Sequence, residues 1–331
     1  MSKKIFLTLI TAIVFGLSAS AQMLDTTFYY MKNFKDADWP PINELSVSTR
    51  DSADFYRMIL PPDTNSDKNL FIVNDFYKNG KPKMIGKTTN RGCYPELNGP
   101  CIKYFPNGRR ESVENYEKGK LKGYMIKYYP NGKSYLTGMY NDSSRLIVDE
   151  CMDSTGNSLA KNGNGRYIKY DETFKQIQSQ GDISNGLENG EWHGVLGDTI
   201  KYTCMYIKGV GKNGISHNIN GKEYAFLKAQ EEPMFKGGMT AFYGYLSRQI
   251  RYPKAARDAR IQGKVFLTFV IDRDGALSNM RVVDGIGGGC DEESLRGLSL
   301  SPKWLPCKLY GVQVRVRYTM PISFTLSYED R

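Results

Sequence analysis

Between residues 72 and 225 the chain repeats itself, and a chain made of short repeats folds by stacking copies of one small unit. The tripeptide Ile-Lys-Tyr recurs at 102–104, 126–128, 168–170 and 200–202. Two copies match closely, GPCIKYFPNGRR from Gly99 and GYMIKYYPNGKS from Gly123, and DFYKNGK from Asp75 sets an aromatic, Asn-Gly and Lys at corresponding places. Each copy reads as a β-hairpin. Ile126 and Tyr128 point to one face while Met125, Lys127 and Tyr129 point to the other. Pro130-Asn131-Gly132 makes the turn, with Gly132 at positive φ, and a second strand runs through Tyr135, Thr137 and Met139. One hairpin is barely stable in water, so stacked copies must bury their aromatic faces against each other. The pattern resumes after an insertion, near 159–170 and 177–194.

With their Tyr/Phe, Asn-Gly-Lys/Arg and spaced glycines, these units resemble a variant of the MORN repeat, which implies a scaffold or binding surface rather than chemistry. Two stretches imitate phosphate-binding loops. NGKS at 131–134 lacks the glycine that loop needs, because position 127 is Lys, so it is a hairpin turn. GIGGGCDEES from Gly285 puts Asp291, Glu292 and Glu293 in the first turn of a helix, where they favour the helix dipole and repel phosphate. It reads as a flexible loop before an acidic helix start. No serine lies in a nucleophile elbow and the carboxylates are dispersed, so the chain is not expected to be an enzyme, and no cofactor is implied.

At the N-terminus, Lys3 and Lys4 precede an uncharged stretch from Ile5 to Ala21 that closes on Ala19-Ser20-Ala21. Residues 1–21 therefore read as an export signal, the alternative being a retained membrane anchor. The expected compartment is the periplasm or cell envelope. A net charge of +10 suits acidic partners, but the charges are scattered and an exported protein meets no genomic DNA, so no nucleic acid is expected. Six cysteines, an even count, allow disulfides in that compartment. Proximity suggests Cys93 with Cys101 and Cys290 with Cys307, against buried free thiols. With only His193 and His217, and no C-x-x-C pair, no metal site is expected.

From about Glu231 the composition changes and the repeat disappears. Phe235, Phe242, Leu246 and Ile250 take helical spacing around a Gly237-Gly238 break. The order that follows is a helix at 239–249, a short helix at 254–260, strands at 264–271 and 277–283, a helix at 292–298 and a last strand at 312–325. The expected fold class is an α+β C-terminal module, a three-stranded antiparallel sheet with helices, after an all-β hairpin-repeat region. The expected organisation is a signal at 1–21, a lead-in at 22–71, repeats at 72–228 and a terminal domain at 229–331.

EEPMFKGGMTAFYGYL, RYPKAARDARIQGKVFLTFVIDRDGAL and PKWLPCKLYGVQVRVRYTMPISF are similar to successive blocks of the TonB C-terminal domain family, in its Bacteroidetes energy-transducer form. The resemblance covers residues 231–326, with Tyr252-Pro253, Gly263, the turn at 272–275, Trp304 and the last strand in family order; Cys307 departs from the small residue usual there. It implies a module that captures the box peptide of an outer-membrane TonB-dependent transporter by adding it as a strand. The last strand suits that task on its own pattern. Val312, Val314, Val316 and Tyr318 alternate with Gln313, Arg315, Arg317 and Thr319, so one face is buried and an edge position leaves backbone groups to pair. Arg315 and Arg317 would meet an acidic flank, or merely guard the edge. Gln249 falls where the family makes a transporter contact, beside Arg251, Tyr252 and Pro253. Arg248, Arg251, Lys254, Arg257 and Arg260 make either a solvated face or a surface for an anionic partner.

A retained N-terminal segment would also engage the proton-driven motor of the inner membrane. No proline-rich spacer is present, so the repeats would replace it. The rival expectation is an envelope scaffold, in which the repeats bind protein or cell-wall glycan and the terminal module only docks or forms a homodimer.

Overall fold

The computed structural model describes residues 26–35, 43–63, 68–197 and 199–326. They form two compact units: 26–35, 43–63, 68–192 and 206–209 in one, and 193–197, 199–205 and 210–326 in the other. The segment read as a signal, 1–21, lies outside the described residues. No described helix is long and apolar enough to cross a membrane.

The first unit is a stack of antiparallel hairpins. Phe71–Tyr77 with Pro82–Thr88, Gly99–Tyr104 with Arg110–Glu117 and Gly123–Tyr128 with Ser134–Tyr140 are the three sequence repeats. Leu146–Met152 with Ser158–Lys161 and Asn164–Tyr170 with Ile177–Ser184 continue the series. All five share a bulge at the second residue of the returning strand: Lys83, Glu111, Tyr135, Leu159 and Gln178. A bulge inserts one unpaired residue and so reverses the alternation beyond it. This corrects the simple period expected after Tyr135. Tyr135 and Leu136 are both buried, whereas Met139 is 55% exposed.

The Asn-Gly-Lys/Arg signature has a second use. The Asn79, Asn107 and Asn131 amides donate to the carbonyls of Pro106, Pro130 and Ser154 in the following turn, at 3.4, 3.0 and 2.9 Å. Lys81, Arg109 and Lys133 donate alongside, to the Asn107, Asn131 and Thr155 carbonyls. Each turn thus clasps the next. The series stops at Asp153, whose carboxylate is engaged by Thr155 and Asn157 of its own turn. At the far ends of the strands, Lys118-Gly119, Asn162-Gly163, Asn185-Gly186 and Lys208-Gly209 make two-residue turns with positive φ at both positions.

The core beneath the repeats holds Met125, Tyr129, Leu136, Val148, Cys151, Ile183 and Trp192. Nearer the N-terminus, Arg57 forks onto the Asp75 carboxylate with two bonds of 2.7 Å, both side chains buried. Removing either partner of such a pair strands a buried charge, at a cost of about 3–5 kcal/mol.

All six cysteines are free, contrary to the disulfides suggested by proximity. Cys101 is buried on the core face of its strand, whereas Cys93 sits in the preceding loop with its carbonyl held by Arg57. Burial pushes the thiols of Cys101, Cys151 and Cys204 up to about 11, so they remain protonated packing groups.

The C-terminal module lies within the second unit. Its elements are β1 (Gln230–Glu231), α1 (Gly238–Gln249), α2 (Lys254–Asp258), β2 (Gly263–Ile271), β3 (Leu277–Asp284), α3 (Cys290–Ser299), β4 (Cys307–Leu309), β5 (Val312–Val314) and β6 (Val316–Phe324). β2 is central in a three-stranded antiparallel sheet, with β3 on one side and β6 on the other. Val265, Leu267, Phe269 and Ile271 of β2 are fully buried against Phe242 and Leu246 of α1, Leu298 of α3, and Met320 and Ile322 of β6. Each such side chain contributes roughly 1.5–3 kcal/mol by leaving water. Trp304 fills the middle, its ring centroid 4.9 Å from Phe242 and 5.9 Å from Phe269.

The single last strand expected at 312–325 is two strands. β5 pairs with β4 in one small sheet and β6 pairs with β2 in another. Arg315 makes the break because its guanidinium turns inward to Asp272 at 2.9 Å. The glycine-rich loop is also packed rather than open. The Asp291 carboxylate accepts from the Ile286 amide at 2.9 Å and from Gly287, and a Cβ on Gly288 would meet Ile261 and Ala256 at 2.8 and 3.0 Å. A protein carboxylate therefore occupies the nest that a phosphate would need.

The same unit joins the module to the strands before it. Tyr310, at the tip of the β4–β5 hairpin, stacks on Tyr202 at 3.6 Å, donates its amide to Ala229 and accepts from the Ser216 hydroxyl through its carbonyl. The compositional break near residue 230 thus falls inside one compact body.

Candidate functional site: an open strand edge beside a helix

β6 pairs with β2 along its whole length, Gly263 opposite Phe324 through Ile271 opposite Val316, and with no other strand among the described residues. It is therefore a sheet edge. Which of its groups face outward follows from one residue. In antiparallel pairing, residues alternate between pairs that exchange both backbone bonds and pairs that exchange none. Pro321 has no N–H, so it belongs to the second set, and so do Arg317, Thr319 and Ser323 at even spacing from it in an unbroken register. Their main-chain groups point away from β2. Donors at Thr319 and Ser323 then flank a carbonyl-only position at Pro321, which is where a strand edge tolerates proline.

Side chains alternate in step. Met320, Ile322 and Phe324 are buried in the core, while Thr319 and Ser323 are exposed. Beside this edge a cleft of about 560 Å³ is walled by Tyr243, Leu246 and Ser247 of α1, by Ile250 just past its end, and by Pro321–Phe324 of β6 with the following Thr325; Tyr252 and Lys264 are at its rim. The helix supplies two faces. Phe242 and Leu246 pack inward, and Tyr243 and Ser247, one position later, line the cleft. Tyr243 is 50% exposed.

The segment after α1 is rigid. Tyr252 precedes a proline and is thereby biased to extended backbone. Its ring meets Phe324 edge-on at 5.5 Å and its hydroxyl donates to the Ile261 carbonyl. The Arg251 amide donates to Glu293 at 2.7 Å, Arg296 forks onto the same carboxylate, and Arg296 also donates to the Gln249 carbonyl. The Arg296 bonds, with help from the Arg251 amide, hold the Glu293 carboxyl below its ordinary range despite partial burial.

The residues proposed from sequence fall in three places. Tyr252 lines the cleft, and Arg317 and Tyr318 lie on the edge strand that begins at Val316. Gln249, Arg251 and Pro253 form the braced connection at the end of α1, with Arg251 exposed. Gln313 and Val314 belong to β5, a different sheet. Val314 is 1% exposed and Arg315 is 9% exposed and paired with Asp272, so neither is on the accessible edge. Tyr318 faces inward, against Phe269 and Trp304 at 5.8 and 5.9 Å. Sequence reasoning missed Tyr243, Ser247, Pro321 and Ser323. Pro321 was the available signal, because proline within a strand marks an edge.

Residues 248–326 match the family model described as Gram-negative bacterial TonB protein C-terminal. Among solved structures, the NMR solution structure of Helicobacter pylori TonB-CTD is similar at 24% identity, over 26% of this chain and 91% of that chain, with a TM-score of 0.22. No curated protein matches the chain.

Proposed function

We propose that the TonB C-terminal domain formed by residues 248–326 works here as a capture module: an extended peptide from an outer-membrane TonB-dependent transporter adds as a fourth strand beside β6. The observation that carries this reading is the open edge itself, nine residues long and flanked by a cleft. Backbone pairing would supply affinity without regard to sequence. The cleft would supply selectivity, taking side chains that the added strand turns toward Tyr243, Leu246 and Ile250. The chain then acts in the cell envelope as a non-enzymatic, energy-transducer-like protein, and the hairpin stack takes the place of a proline-rich spacer. Coupling to the inner-membrane motor would require residues 1–21 to be retained.

The cleft gives a direct test. Ser247 is an exposed helix residue on its wall, and its replacement by Trp should change stability by no more than about 0.5 kcal/mol. Titration of the full chain with a synthetic peptide carrying a transporter box should show at least about tenfold weaker binding for Ser247→Trp, or about 1.4 kcal/mol. Undiminished affinity would remove the cleft from the binding site.

A further inference from the structure

The first unit carries a second concave surface. A shallow cleft of about 480 Å³ opens on the solvent face of the hairpin stack. Its shelf is apolar: Tyr124, Met139 and Ile147 stand directly opposite one another on three neighbouring strands. Tyr124 is 54% and Met139 55% exposed, an unusual pair of large apolar groups to leave side by side in water. Its rim is polar. Asp149, Asn162 and Asn185 line the cleft with exposed side chains that make no hydrogen bond or ion pair among the described residues, and the Tyr124 hydroxyl is likewise unengaged.

The backbone beneath is fixed by close approach. The two-residue turns at 162–163 and 185–186 fold down onto the strand Leu146–Met152. The Gly163 amide donates to the Asp149 main-chain carbonyl at 2.8 Å, the Gly186 amide to the Gly163 carbonyl at 2.8 Å, and the Val148 amide to the Gly186 carbonyl at 3.0 Å. A Cβ would sit 2.5 Å from Ile147 if placed on either Gly138 or Gly186, and one on Gly163 would lie 2.7 Å from the Gly186 nitrogen. These glycines let two later hairpins bring Asn162 and Asn185 beside Asp149. The backbone that carries the polar rim is thus held in place before any ligand arrives, so that binding has only the exposed side chains to order.

An exposed aromatic beside unpartnered planar amides and a carboxylate matches one ligand chemistry. A pyranose ring offers a C–H face to an aromatic ring and paired hydroxyls to a carboxylate. An acetamido group offers a donor and an acceptor to a primary amide, and a methyl to an apolar floor. We propose that this cleft binds an oligosaccharide bearing N-acetyl groups, with Tyr124 as the stacking platform, Met139 and Ile147 beneath the acetyl methyl, and Asp149, Asn162 and Asn185 reading the polar edge. The site is independent of β6, and its failure would leave the capture reading untouched.

The test is calorimetric titration of the full chain with tri-N-acetylchitotriose. Saturable binding is expected, weakened at least about tenfold by Tyr124→Ala and retained by Tyr124→Phe, which keeps the ring. The double variant Asp149→Ala/Asn185→Ala should also weaken it. All these side chains are exposed, so an unchanged thermal midpoint confirms that the variants are folded. A Kd weaker than about 10 mM for the wild-type chain, or an affinity indifferent to Tyr124→Ala, overturns the proposal. So does displacement of the saccharide by an unrelated extended peptide, which would make the cleft a peptide site.

Discussion

Replacing Thr319 by proline is expected to abolish capture of a transporter peptide while leaving the module folded. Thr319 is two residues from Pro321 and shares its orientation, so its N–H makes no bond to β2. Proline at 319 therefore removes no main-chain bond of the existing sheet; the side-chain bond from the Thr319 hydroxyl to the Thr268 hydroxyl, 3.2 Å, is lost, but Thr268 still donates to the Tyr318 carbonyl. The residue before it, Tyr318, is already in a strand, the conformation a following proline demands. What is lost is the outward donor, and the ring projects into the path of an incoming strand. With positions 319 and 321 both lacking N–H, an added strand would keep few adjacent donors. The affinity should fall at least about thirtyfold, or roughly 2 kcal/mol, in titrations with the same box peptide. The contrasting variant is Tyr318→Pro. Tyr318 lies opposite Phe269 in the bonded set and its ring packs on Trp304, so proline there should cost the fold about 3 kcal/mol or more. Retained binding by Thr319→Pro would exclude strand addition at β6.

The second large effect is on stability. Gly275 has φ of 82°, and a Cβ there would lie 1.8 Å from the carbonyl oxygen of Trp304. The two residues are also bonded, the Trp304 amide donating to the Gly275 carbonyl at 2.8 Å. Gly275→Ala must therefore push Trp304 from the centre of the aromatic core, where it is 3% exposed. The left-handed backbone alone costs about 1–2 kcal/mol, and overpacking adds about 1–3 kcal/mol. A drop in melting midpoint of roughly 5–10 °C is expected for the unit that contains the module. Gly287→Ala isolates the backbone part, since Gly287 has φ of 69° with nothing within 4 Å of its Cβ position. It should lower the midpoint by only about a third as much. Equal losses from the two variants would show that Trp304 does not depend on the close approach.

The fold was legible where one residue type settles one torsion or one face. Asn131-Gly132 announces a turn, Val265, Leu267, Phe269 and Ile271 announce a buried strand, and Asp272–Gly275 announces the turn that the backbone makes. Two features were not legible for physical reasons. The bulges at Lys83, Glu111, Tyr135, Leu159 and Gln178 have no common residue, because a bulge is imposed by the turn beside it rather than by a side chain. The break at Arg315 lies inside a clean alternation from Val312 to Tyr318, and only a partner distant in sequence, Asp272, shows why the arginine turns inward. Of the candidate site, the position of the edge strand was readable and its inner cleft wall was not. Tyr243 and Ser247 each come one position after a buried residue, Phe242 and Leu246, and nothing local says that β6 passes beside them.

A partner peptide that pairs with the outward groups of β6 must slow their exchange with solvent. Residue-resolved amide hydrogen exchange of the full chain, with and without a saturating box peptide, tests it most directly. Strand addition should bring new protection at Thr319 and Ser323 and little change at Tyr318 and Met320, whose amides are already bonded to β2. Protection that appears elsewhere in the module, with Thr319 and Ser323 still exchanging freely, would contradict it.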